Sequence, residues 1–111
     1  MKVLDHEPYA WFLLEHEGAL YLDAHCSHSF FDYSVLIRLS AEECGQFETL
    51  GRDYIGRLAY DIHYSAPAAL GSTSPFRSRN LTRELGDAVS AAVKDWRERE
   101  ALGSHTAFPR A

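Results

Sequence analysis

The chain has 111 residues, of which 46% are hydrophobic, 24% charged and 13% aromatic, a size and mixture that fit one globular domain and exclude the low hydrophobicity of a disordered chain. Its formal net charge of −5 is spread unevenly, −4 over residues 1–39, −3 over 40–75 and +2 over 76–111, which disfavours a grip on nucleic acid and suits a basic partner. Cys26 and Cys44 are too few for a disulfide scaffold and match no zinc-ligand spacing.

The first residues, MKVLDHEPYAWFLLEHE, carry acids where a secretory signal would be basic, and no apolar run nears the ~18 residues that cross a bilayer. A cytoplasmic location without membrane contact is expected. Residues 9–16, YAWFLLEH, form an aromatic and aliphatic run too short for a typical helix and read as a strand. Next, Leu20, Leu22, Ala24 and Cys26 alternate with Tyr21, Asp23 and His25, a second strand with one core face and one wet face. Gly18 between the runs supplies the positive φ of a tight hairpin. In a third run Tyr33, Val35, Ile37 and Leu39 oppose Ser34, Leu36 and Arg38, which completes an antiparallel meander.

Ser40 followed by Glu43 is a capping box and starts a helix near Ala41. Its stripe of Cys44, Phe47, Tyr54, Leu58 and Ile62 continues across Gly51 if that glycine is a small member of the same face, with a bend allowed near Gly56. Residues 58–64 also alternate as a strand would; the helix is preferred because it extends the earlier stripe without a turn signal. Residues 66–80 hold two prolines, a glycine and several hydroxyl side chains and read as a long loop. From Thr82 as N-cap, Leu85, Val89, Ala92, Val93 and Trp96 mark a second amphipathic helix that ends near Gly103.

The residue types offer several chemistries. His25, Cys26 and His28 could ligate a transition metal or supply a nucleophile and base, but strand alternation sends Cys26 to the opposite face from His25. Neither a metal nor a cofactor is therefore expected, and no catalytic residue is assigned. Arg77, Arg79 and Arg83 lead into a helix start and could hold an anion, although the loop lacks a P-loop pattern. In the connection SHSFFDY, Phe30 and Phe31 stand side by side next to Asp32 and Tyr33. Exposed, they would anchor a protein partner inside a charged rim completed by Asp23, Glu15 and Glu17; buried, they would simply be core.

The strings LYLDAHCSHSFFDYSVLIRLSAEE, GRDYIGRLAYDIHYSAP and GSTSPFRSR resemble a group of small bacterial proteins that accompany secreted toxins, similar in role to immunity proteins. The resemblance spans about residues 9–98 and implies binding and neutralisation of a cognate toxin in the cytoplasm; it assigns no residue a role. The acidic charge suits a basic toxin domain as that partner, and an inhibitor of this kind acts by occlusion. The expected fold is an α+β domain over residues 1–103: an antiparallel sheet of about three strands packed on one face by two C-terminal helices, the other face partly open, with a flexible tail over 104–111. A small-molecule or anion-binding protein and a small Cys/His enzyme remain the alternatives to an inhibitor, and a homodimer is compatible with all three.

Overall fold

The computed structural model describes residues 1–28, 31–65, 67 and 72–107. Four strands, β1 (Lys2–Glu7), β2 (Trp11–His16), β3 (Ala19–His28) and β4 (Phe31–Arg38), precede three helices, α1 (Ala41–Leu50), α2 (Arg52–Ser65) and α3 (Thr82–Ala107). The strands form one antiparallel meander in the order β1-β2-β3-β4.

This corrects the expected three strands with two helices on one face. α1 and α2 cover one face of the sheet, where Leu13, Leu22, Val35, Ile37, Ile55 and Ile62 are fully buried. α3 covers the other face, packing Val89 and Ala92 over Val3, Leu14, Tyr21 and Leu36. Truncating one of the fully buried leucines to alanine costs about 2–5 kcal/mol, since lost transfer energy and a cavity add. The apolar alternation reports which residues point to opposite sides of the pleat but not whether both sides are roofed; Tyr21, assigned to the wet face, is 7% exposed beneath α3.

β1 escapes sequence pattern reading because its alternation is broken. Val3 pairs with Leu14 and Asp5 with Leu13, so Leu4 is the extra residue of a β-bulge. Gly51 is not a small member of a continuous helical stripe. With φ 70° it terminates α1, its N–H donating to the Phe47 carbonyl at 2.8 Å, and α2 restarts with Ile55 aimed into the core. Residues 58–64 are helical, and the capping box forms as expected, with the Glu43 N–H donating to Ser40 Oγ and the Ser40 N–H to Glu43 Oε1. α3 runs through Ala107, beyond the end expected at Gly103.

Two arginines tie the layers together. Arg52, at the start of α2, lies over the Trp11 ring at 5.2 Å and donates to Asp5 Oδ2, the His6 carbonyl and Glu7 Oε2. Burial raises the Asp5 pKa, but the hydrogen bond from Arg52 and that from the His6 amide more than offset it, and the net shift is downward. Arg79 donates to both carboxylate oxygens of Glu43 and to the Arg38 carbonyl. Residues 80–82 then seal the outer edge of β4: the Leu36 N–H meets Asn80 Oδ1 and Thr82 Oγ1, and the Leu81 N–H donates to the Leu36 carbonyl.

Candidate functional site

The turn between β1 and β2 is closed by the Ala10 N–H donating to the Glu7 carbonyl at 3.0 Å. Pro8 occupies the second position, which its fixed φ favours, and Tyr9 the third with φ 64°, where a type II turn calls for glycine. A bulky side chain in the left-handed region costs on the order of 1 kcal/mol. Tyr9 recovers none of that by burial, because it is 97% exposed.

A hollow lies on each side of this turn, and Glu7, Tyr9, Ala10, Trp11 and His25 line both. Toward α2, a hollow of about 400 Å³ is completed by Gly56, Ala59, Tyr60 and His63. Tyr60 is 60% exposed and stacks on Tyr64, 75% exposed, with ring centroids 5.6 Å apart. The Ser27 N–H donates to His63 Nδ1 at 3.3 Å, which pins the end of α2 to β3. Tyr9 from the turn and Tyr60 from α2 thus form a tyrosine rim, extended by Tyr64, one helical turn further along α2 and stacked on Tyr60.

Toward α3, a hollow of about 390 Å³ is walled by His6, Phe12, Trp96 and Arg97 and reaches Asp23 and Ser34. The His6 and Phe12 rings lie 4.4 and 5.6 Å from Trp96, both edge-on, and the Arg97 guanidinium sits 5.9 Å above Phe12. Asp23 stands opposite Phe12 on one side and Leu36 on the other. Burial among these groups pushes its carboxyl up to about 6, with the His25 charge pulling only weakly the other way.

Of the residues expected to form one partner surface, the described ones are not brought together. Glu15 and Glu17 lie at the β2–β3 hairpin and Asp32 at the start of β4, so the length of β3, 10 residues and roughly 30 Å at strand rise, separates them. Tyr33 packs on the core beneath α2, and Asp23 lies partly covered by α3 rather than on a wet face. Asp32 is exposed, 3.9 Å from His25; Phe30 and the side chain of Phe31 lie outside the described residues. Cys26 is fully buried on the α2 side, and burial pushes its thiol up to about 11, offset in part by a hydrogen bond with Tyr33. His25 faces the other side of the sheet, so Cys26 and His25 do not converge; the His28 side chain is outside the described residues. Among the described residues no three His, Cys, Asp or Glu side chains gather as a metal site. Arg79 is held by Glu43 rather than presented to a ligand, while Arg77 and Arg83 lie on the exposed surface near the start of α3.

Sequence reasoning passed over Tyr9, Tyr60 and Tyr64. Tyr9 was absorbed into a strand, although Pro-Tyr after an acidic residue is a turn signal. Tyr60 and Tyr64 are separated by four residues, off the stripe of Leu58 and Ile62, a spacing that puts both on the outer face of a helix. No helix of the described residues is long and apolar enough to cross a membrane. No protein-family model, no curated protein and no solved structure matches the chain.

Proposed function

We propose that this protein is a cytoplasmic binding module that recognises another protein, an immunity-type inhibitor that neutralises a basic toxin domain by occlusion. The observation that carries the reading is Tyr9, almost wholly exposed at a backbone position that disfavours it, beside the exposed Tyr60–Tyr64 stack. Strain retained where it contributes no packing points to a role in recognition. Tyrosine is a fitting anchor, because it offers a large rigid face with few rotatable bonds and a hydroxyl for the wet side of an interface. Asp53 and Asp61, exposed on α2, complement a basic surface and speed encounter, while Glu7 is already paired with Arg52. The recognition surface proposed is thus the tyrosine rim, in place of the dispersed set around Phe30 and Phe31.

The test is capture of the partner from the native bacterial lysate by the parent protein and by a Tyr9→Gly/Tyr60→Ala variant. One stoichiometric basic protein, retained by the parent and at least tenfold depleted with the variant, is expected. Equal capture by both, with the variant folded, overturns the assignment of the surface. The rival enzymatic reading through Cys26 predicts thiol reactivity at neutral pH above that of free cysteine; a buried thiol titrating near 11 favours the opposite.

A further inference from the structure

We infer that the hollow between the β1–β2 turn and α3 is a binding site for an organic cation, an alkylammonium group held against the Asp23 carboxylate beside the edge-to-face ring pair of Phe12 and Trp96. Asp23 is a sheet carboxylate that lines both hollows beside α3, and among the described residues no side chain or backbone group gives it a hydrogen bond or an ion pair. A carboxylate taken out of water without a partner is costly, and a ligand that brings the opposite charge recovers that cost on binding. The Phe12 ring already carries the Arg97 guanidinium at 5.9 Å and the His6 ring stacked at 5.4 Å, so the ring walls receive the guest's alkyl chain and Asp23 selects its charge.

The surrounding charges are compatible with this guest. Asp23 also lines the adjoining hollow of about 530 Å³, under the Val89 to Ala101 stretch of α3. The charged side chains of the two hollows, histidines aside, are Glu7 from the end of β1, Asp23 from β3, and Lys94, Arg97 and Glu98 from α3, a net of one negative charge. Arg97 is exposed and engaged over Phe12, and among the described residues neither it nor Lys94, which lines the adjoining hollow, forms an ion pair with Asp23, so the carboxylate is left for a guest. His25 is drawn toward Asp32 at 3.9 Å. The two hollows have room for a short alkyl chain on the ammonium, whether it belongs to a free amine or to a lysine side chain. The inference does not depend on the tyrosine rim, since its charge and ring walls are Asp23, Phe12 and Trp96.

The experiment follows the isotope-labelled protein by NMR while n-butylammonium chloride, Nα-acetyl-lysine amide and sodium acetate are titrated at matched ionic strength. Saturable shifts at Phe12, Asp23 and the Trp96 indole with the two cations, absent with acetate and weakened at least tenfold in Asp23→Asn, are expected. Because only the ionised carboxylate binds, affinity should rise about tenfold from pH 5 to pH 7, and saturating cation should lower the Asp23 titration midpoint. Tighter binding of n-butylammonium identifies a free amine as the natural guest, and tighter binding of the lysine derivative a side chain; both uphold the site. Shifts that do not saturate, equal binding to Asp23→Asn, or a free-protein Asp23 titrating below 3.8 because Arg97 already neutralises it, overturn the inference.

Discussion

Asp23 is the residue whose position is least favourable to the fold. Its carboxyl titrates near 6 in the folded chain against an ordinary 3.8, so between those values the native state holds a proton that the unfolded chain has released. Native stability from this group therefore falls as pH rises from about 4 to about 6 and stays lower above. Asp23→Asn removes that loss while keeping the shape. The variant should be more stable than the parent by about 1–3 kcal/mol at pH 7 and by little at pH 4, a difference that urea unfolding at the two pH values reads directly. Tyr9 carries the second local conflict. Replacing it by glycine relieves the left-handed backbone and loses no buried area, so Tyr9→Gly should raise stability by up to about 1 kcal/mol, measured the same way; a loss would show that the ring packs in solution. Both residues were visible as letters in the sequence, but neither their cover nor their backbone angles were. Asp23 was read as wet because alternation gives the face and not the roof over it.

At the scale of elements, the hairpins and caps were legible and the breaks were not. The β2–β3 connection has Glu17 and Gly18 at φ 51° and 80° between the paired His16 and Ala19, the two-residue form that prefers Asn-Gly. Glu17→Asn should therefore stabilise the hairpin by a few tenths of a kcal/mol up to about 1, seen as a raised urea midpoint with an unchanged slope. Ser40 and Glu43 were readable as a cap because three-residue spacing and chemistry suffice. The second duty of Glu43, receiving Arg79 across 36 positions of sequence, was not readable. That contact, chiefly the hydrogen bond from Arg79, holds the Glu43 carboxyl below its usual range, so its contribution is present above the ordinary carboxylate pKa and lost as pH falls through the lowered value. Arg79→Ala should cost about 1–2 kcal/mol at neutral pH and progressively less in strong acid, by the same denaturation assay. β1 was missed because a bulge at Leu4 hides its period, and the break at Gly51 because a glycine inside a helical stripe and a glycine ending a helix look alike until the chain turns.

At the scale of the whole molecule, the arrangement is a sheet roofed on both faces, with α3 fastened at its start to the edge of β4 and at Trp96 to β1. The stripe of Leu85, Val89, Ala92, Val93 and Trp96 was read correctly as a core-facing surface; which face of the sheet it meets is a long-range matter that no local pattern encodes. Trp96→Ala, which removes the anchor and one wall of the α3 hollow, should destabilise by about 2–4 kcal/mol, with loss of α3 protection in hydrogen exchange ahead of the sheet. The same architecture leaves Tyr9, Tyr60 and Tyr64 exposed, beside the Arg52 and His63 contacts that hold the turn and α2 to the sheet but not part of them. That exposure makes the central claim testable without damaging the fold. The most direct measurement is a side-by-side capture of the cognate protein from native lysate by the parent and by Tyr9→Gly, with the stability of both recorded. A variant at least as stable as the parent that loses the partner tenfold or more is the predicted result; one that retains the partner undiminished would contradict the account.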